Sequence, residues 1–386
     1  MQDLFIESGH ASVNHQGESL CGDYISVNKR GEQLTAVLSD GLGSGVKANI
    51  LSTLTATIFS TLVSHNRPID ECIETVASTL PMCKERKVAY STFTMVQITG
   101  AQARLVQYDN PHAILLRGGR NFEYPYNVRF VGLKEIHEST LTLQENDVLI
   151  LMSDGVTSSG LGKLTDNGWP REEIISCMER IYSPELSAQH IAAEILNGCM
   201  ALCQDLPDDD TTALVFKVRR RRAVNVMIGP PVNPDDDEKV LKLFFAKEGL
   251  HVVCGGTTAQ IASRYLKKPV VPVEDSGTAI SPMIAKIEGV DLVTEGVITL
   301  QKVTELAEHY GDDSKISLHL SEGKDGVSLL AALLLEQATD INIFYGQAVN
   351  TANEGPDVDS DTKDLLVDRL CKALGAQGKN VRVSRC

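Results

Sequence analysis

The sequence predicts an α+β protein in two parts. A helix-flanked antiparallel β-sandwich in α-β-β-α layers is expected over residues 1–219, followed by a smaller α/β domain with a mainly parallel sheet over residues 223–386. Three observations carry this expectation. In the first part strand-like runs follow one another through turn residues, while helical stretches come in pairs. In the second part short apolar runs alternate one by one with helical stretches, the pattern of a sheet covered by helices on both faces. The chain has 386 residues, more than one hydrophobic core usually serves.

Taken in order, alternation and the turn pair Arg30-Gly31 predict a hairpin joining residues 24–28 to 34–39. Leu51, Leu54, Ile58 and Leu62 recur at helical spacing and predict a helix over 44–63. A second helix is expected from 69 to Leu80, stopped by Pro81, which cannot continue the hydrogen-bond ladder. Strands are expected at 92–99, 103–108, 113–117 and 147–152, divided by Gly100, Asn110-Pro111 and Gly118-Gly119. Helices over 171–181 and 187–204 then lead to a closing strand at 212–218. The second part reads as strands at 224–228, 251–254, 270–273, 290–294, 341–345 and 381–383, with helices at 239–247, 259–266 and 365–374 between them.

Composition excludes several classes of function. The formal charge of −15 argues against a nonspecific grip on nucleic acid, which relies on clustered Lys and Arg. Arg219-Arg220-Arg221-Arg222 is the one basic run, and it reads as a solvated linker. No apolar stretch is expected to reach the roughly 20 residues of a membrane span, and the start Met1-Gln2-Asp3-Leu4 lacks a basic region feeding an apolar one, so a cytoplasmic location is expected. The nine cysteines form no tight CxxC pair; Cys199 and Cys203 stand one helical turn apart, and buried reduced thiols are expected.

The chemistry is concentrated at three acidic points. Val37-Leu38-Ser39-Asp40-Gly41 has an echo in Leu151-Met152-Ser153-Asp154-Gly155, and Asp208-Asp209-Asp210 precedes the last strand of the first part. Each places a carboxylate at the edge of an apolar run, where strands from distant parts of the chain can meet. Several carboxylates gathered there repel one another unless cations neutralise them, so an all-oxygen metal site is expected. The Asp40 carboxylate and the Gly41 carbonyl are both suitable donors for a hard cation. Nucleotide-binding readings of the glycine loop fail on spacing: the third glycine of GxGxxG would fall at Val46, and Val46 also separates Gly45 from Lys47.

Ser39-Asp40-Gly41-Leu42-Gly43-Ser44-Gly45 with Ala48, the upstream Cys21-Gly22-Asp23, the later Leu151-Met152-Ser153-Asp154-Gly155-Val156-Thr157, and Asp209-Asp210-Thr211-Thr212-Ala213-Leu214-Val215 together resemble the metal-dependent protein serine/threonine phosphatases of the 2C type. The bacterial SpoIIE-type branch is the nearest match, through its Asp-Gly-x-Gly-Ser-Gly loop. The resemblance covers residues 1–218 and implies two divalent cations, Mn²⁺ or Mg²⁺. It implies that Asp40 bridges them, that Gly41 adds its carbonyl, that Asp154 and Asp209 hold the cation on the other side, and that Asp23 supports the first. It also implies that Asp210 shapes the site as a neighbour and that Asp208 lies on the surface. The implied reaction is hydrolysis of phosphoserine or phosphothreonine on a bacterial regulatory protein, such as an anti-sigma-factor antagonist, by a water activated between two cations. Eukaryotic members carry an arginine before the upstream acid; here that stretch reads Val13-Asn14-His15-Gln16-Gly17-Glu18, which leaves the phosphate-gripping residue unassigned. His10 and His15 are candidates for it, against the plainer reading of loop histidines. Asn110-Pro111-His112 reads as a turn.

The second part carries no dense catalytic motif. Gly255-Gly256-Thr257 runs from a strand into a helix and is a candidate anion site through free amides at the helix start, equally a tight capped turn. Glu295-Gly296 occupies another strand end. Asp235-Asp236-Asp237-Glu238 reads as a helix start, and 357–364 as a solvated acidic loop and helix cap. A regulatory or ligand-binding role, with a small anionic ligand, is the expectation. Two rival readings remain: a catalytically silent docking module on the phosphatase fold, or an accessory to a small-molecule-binding C-terminal domain.

Overall fold

Period-two alternation along the strands builds the layers of the first of two units, Met1–Arg219 and Arg220–Cys386. The computed structural model describes residues 4–348 and 360–386, except 32, 66, 80–90, 133, 275, 278–281 and 321. The first unit contains β1 (Leu4–Val13), β2 (Asp23–Arg30), β3 (Gln33–Gly41), α1 (Gly45–Ser64), α2 (Ile69–Thr79), β4 (Ser91–Thr99), β5 (Gln102–Tyr108), β6 (Ile114–Arg117), β7 (Arg120–Asn121), β8 (Asn127–Val131), β9 (Lys134–Thr142), β10 (Val148–Met152), α3 (Asp154–Ser158), α4 (Arg171–Ile181), α5 (Ala188–Leu202) and β11 (Thr211–Arg220). Its strands form a six-stranded sheet, β2-β3-β4-β5-β9-β8, and a five-stranded sheet, β1-β11-β10-β6-β7.

Leu149 and Leu151 of β10 face the six-stranded sheet and pack with Leu34, Ala36 and Leu38 of β3. Val148, Ile150 and Met152 point the other way, onto Ile174 and Met178 of α4 and Ile191 and Ile195 of α5. On the far side, Val37 of β3, Met95 of β4 and Val106 of β5 meet Ala56 and Phe59 of α1 and Ile73 and Val76 of α2. The result is the expected α-β-β-α sandwich. The end of α2 predicted at Leu80-Pro81 lies outside the described residues, as do Cys83 and part of the acidic loop predicted at 357–364.

Three expectations are corrected. Gly45–Val63 is, by length and composition, apolar enough to cross a membrane, with a mean hydropathy of 1.3. In the fold this helix covers a sheet: Ala48, Ala56 and Phe59 are fully buried, and Phe59 meets Phe93 edge-on at 4.8 Å. The arginine run is a solvated linker only in part: Arg220 and Arg221 are exposed, but both ends of the run are held by partners. Arg219 is buried and paired with Glu7 of β1 at 3.0 Å, and Arg221 pairs with Asp340 at 3.1 Å. In this unit strands β1, β7, β8 and β9 and helix α3 were not predicted. The cysteines agree with expectation: Cys72, Cys199, Cys203 and Cys254 are buried and free.

The second unit contains β12 (Ala223–Ile228), α6 (Asp237–Phe245), β13 (Leu250–Cys254), α7 (Gly256–Leu266), β14 (Val271–Pro272), β15 (Ala285–Ile287), β16 (Val290–Thr294), α8 (Val297–His309), α9 (Ser314–Leu320), α10 (Gly326–Ala331), β17 (Asp340–Tyr345), α11 (Ser360–Ala376) and β18 (Asn380–Arg385). Its sheet runs β14-β15-β16-β13-β12-β17-β18. Strands β16, β13, β12, β17 and β18 are parallel, and the short β14 and β15 join antiparallel at one edge. Val224 and Val226 of β12 pack with Val303 of α8, Leu330 of α10 and Leu370 of α11. Met227, one step along, packs with Phe244 of α6 and Ile261 of α7 on the opposite face. Asp235–Glu238 does form a helix start, with the Asn233 side chain accepting from the Asp235 amide.

Glu7 and Arg219 are each at most a tenth exposed, and Glu7 also accepts the Ala188 amide at the start of α5. Removing one partner strands a buried charge, so Arg219→Met is expected to cost about 3–5 kcal/mol of stability in denaturant unfolding.

Candidate metal centre

The strand ladders bring the predicted aspartates to one end of the sandwich. Antiparallel pairing sets Asp23 of β2 directly opposite Asp40 of β3. Pairing of β10 with β11, ending at Met152 opposite Ala213, brings Ser153-Asp154 beside the 209–212 segment; the Ser153 amide donates to the Thr212 carbonyl at 3.0 Å. The Asp40 carboxyl comes within hydrogen-bonding reach of Asp154 and feels the charges of Asp23 and Asp209.

Close backbone approach explains two of the glycines. A Cβ at Gly41 would lie 2.0 Å from the Ala48 carbonyl, so only glycine lets α1 fold back against the end of β3. A Cβ at Gly155 would lie 2.2 Å from the Asp210 carbonyl, so the second Ser-Asp-Gly also needs its glycine.

The two acids of the triplet divide their tasks. Asp209 is half-buried and accepts the Asp210 amide on its own carboxylate at 2.9 Å. Asp210 is buried: Oδ1 accepts the His15 amide at 3.0 Å, and Oδ2 stands 2.6 Å from where a Gly22 Cβ would be. Asp208 is exposed and pairs with Lys163 at 2.7 Å. Asp23 is buried, with Oδ2 accepting from the Ser153 hydroxyl at 2.7 Å.

Charge makes this cluster costly as it stands. Burial first, then Asp23 and Asp154, raise the Asp40 pKa far above the ordinary range. Burial also raises Asp23, against the Ser153 hydrogen bond that opposes the rise. Burial and then Asp154 push Asp209 up to about 6. Among the described residues no three His, Cys, Asp or Glu side chains close around one point as a finished cage. Asp23 Oδ1 and Asp210 Oδ2 are instead buried with no hydrogen-bond partner. Buried bare carboxylate oxygens beside further aspartates form an oxygen donor set that fits hard divalent cations and offers zinc none of its usual His or Cys. Burial, then Asp23, pushes the neighbouring Cys21 thiol up to about 12, which disfavours its nucleophilic thiolate form.

Of the histidine candidates, His15 stays beside the centre, its amide on Asp210 and its charge acting on Asp209. The His15 ring is tied at Nδ1 to the Gln16 carbonyl, 2.8 Å away, and the His10 amide donates to Gln189. Asn110-Pro111-His112 is a loop between β5 and β6. Asn110 bonds Thr92 and Thr94, and His112 Nε2 meets His137 Nδ1 at 3.1 Å, so these residues tie the loop to the strands. In the second unit, Gly255 takes φ 111° and spends its amide on the Thr294 carbonyl at 2.9 Å, leaving α7 to start at Gly256 without it. That amide is unavailable to an anion.

Residues 30–219 match the family of stage II sporulation protein E (SpoIIE). The first unit carries a SpoIIE-type phosphatase domain. This match indicates a protein phosphatase activity for the first unit. Among solved structures, this SpoIIE-type domain is similar to the phosphatase domain of SpoIIE from Bacillus subtilis, with 19% identity over 56% of this chain and 94% of that one and a TM-score of 0.45. RsbX in complex with magnesium is 21% identical over 55% of this chain and 95% of its own, with a TM-score of 0.41. The catalytic domain of the serine/threonine phosphatase PstP with two manganese ions is 18% identical over 56% and 99%, with a TM-score of 0.37. No curated protein sequence matches the chain.

Asp209 at about 6 lies above its ordinary value of 3.8. Its contribution to stability is therefore fully present below the unfolded value and lost as pH rises through the folded one. In chelator, Asp209→Asn is expected to unfold at a higher temperature than the wild type at about pH 8, with the gain gone by about pH 4 in paired thermal melts.

Proposed function

We propose that the chain hydrolyses phosphoserine or phosphothreonine on a phosphorylated regulatory protein of a bacterium, with the second unit adjusting that activity. The observation that carries the reading is the meeting of Asp23, Asp40, Asp154 and Asp209 from four separate segments at one sandwich end. Asp40 would hold both of two divalent cations, Mn²⁺ or Mg²⁺. Gly41 and Asp23 would serve one, and Asp154 and Asp209 the other. When bound, such ions lower the pKa of water towards neutrality and stabilise charge on phosphoryl oxygens.

The chain's own residues supply the positioning. Strand pairing holds Asp23 against Asp40, and Gly41 keeps α1 packed beneath the loop. Buried Ser39 and Ser91, bonded to each other at 2.8 Å, back the strand end, and Ser91 also donates to the Asp40 carbonyl at 2.9 Å. Positioning of this kind counts in phosphoryl transfer, where electrostatic stabilisation carries most of the rate. Phosphate monoesters are among the slowest uncatalysed hydrolyses, with enzymic accelerations up to about 10²¹-fold. The protonated Cys21 supports water as the nucleophile.

The purified chain is expected to hydrolyse p-nitrophenyl phosphate and a phosphoserine peptide only with Mn²⁺ or Mg²⁺, and Asp40→Asn and Asp154→Asn are expected to drop turnover to background while circular dichroism stays unchanged. Full metal-dependent activity in both variants would refute the site. For the second unit, the full chain and one ending at Arg219 are expected to differ in rate, or in response to small anions, in the same assay. Identical rates across an anion panel would remove the regulatory role.

A further inference from the structure

We propose that Ser153 is a positioning residue of the metal centre: its hydroxyl fixes the Asp23 carboxylate so that one oxygen is left bare towards the site. This rests on the phosphatase reading above. Ser153 follows β10 in the five-stranded sheet, whereas Asp23 belongs to β2 of the six-stranded sheet. Its side chain therefore reaches across the sandwich at the end where the aspartates gather.

The direction of its hydrogen bonds is determined. The Thr212 amide, which can only donate, points at Ser153 Oγ from 3.0 Å. A hydroxyl has a single proton, and the remaining contact, Asp23 Oδ2 at 2.7 Å, is where it goes. Thr212 orients Ser153, Ser153 grips one oxygen of Asp23, and the other oxygen, Asp23 Oδ1, stays buried without a partner.

Local structure gives a second, independent sign. Ser153 is the N-cap of α3, a place where serine ordinarily accepts an amide of its own helix and contributes about 1 kcal/mol. It makes no such bond. Full burial also rules out a solvent contact for the hydroxyl. A residue that gives up its usual capping bond in favour of a carboxylate in the other sheet breaks a local rule, and such breaks concentrate at functional sites. Partners that orient metal ligands typically change metal affinity by about 10–100-fold when removed.

The test is Mn²⁺ binding to the full chain, followed by electron paramagnetic resonance of the free ion, in the wild type, Ser153→Ala, Asp23→Asn and the double variant. Ser153→Ala is expected to weaken binding about 10–100-fold, with the rate at saturating Mn²⁺ much less affected than the Mn²⁺ concentration needed to reach it. On the Asp23→Asn background the same change is expected to shift affinity by no more than about twofold, since its effect runs through Asp23. Wild-type affinity in Ser153→Ala, or an equal loss on both backgrounds, would overturn the proposal while leaving the phosphatase reading intact. Failure of the wild type to bind Mn²⁺ would overturn the phosphatase reading and this proposal with it.

Discussion

Like charges held together in a dry place are the constraint around which the first unit is organised. Asp23, Asp40 and Asp209 all hold their protons more tightly than free aspartates, because burial and mutual repulsion act in the same direction. A chain free to relax would spread them apart. Two well-packed sheets, helices on both outer faces and glycines at points of backbone contact prevent it. The stability of the sandwich is thus what keeps an unfavourable arrangement of acids available for cations.

Much of this was legible in the sequence, and the exceptions have physical causes. The hairpin, both Ser-Asp-Gly strand ends and the paired helices were readable because local alternation and turn residues agree with the final fold. Strand β1 was not, because its buried row, facing α5, is Phe5, Glu7, Gly9 and Ala11. Glu7 is buried only through Arg219 and the Ala188 amide, and Gly9 only because α5 approaches to 2.2 Å of a Cβ there; both facts depend on residues about 180 to 212 positions away. Strand β8 hid for the opposite reason, with Val128 and Phe130 facing solvent. Within the acidic triplet, the family resemblance singled out Asp209, but the burial of Asp210 comes from the His15 amide and Gly22, which no local pattern announces.

In the second unit the parallel strands were easy to recognise and the ligand question was not. Strand order reverses between β12 and β17, the place where sheets of this kind usually open a crevice. Here the Gly346 amide bonds the Ile228 carbonyl at 2.8 Å and the Ala348 amide bonds Pro230 at 3.2 Å, closing the loops over that point. These contacts depend on backbone pairing and leave no trace in residue type.

The Asp23–Asp40 pairing also limits how the protein can vary. Neighbouring residues on a strand face opposite ways and successive positions are about 3.3 Å apart, so the β2–β3 ladder acts as a ruler for the two acids. A slip of one step turns Asp23 to the wrong face, and a slip of two carries it about 7 Å along. Length changes between these strands are harmless only if the turn absorbs them without altering which residues pair. The hairpin can thus lengthen in its loop over evolutionary time, while its paired portion keeps a fixed count for as long as Asp23 and Asp40 must stand opposite each other.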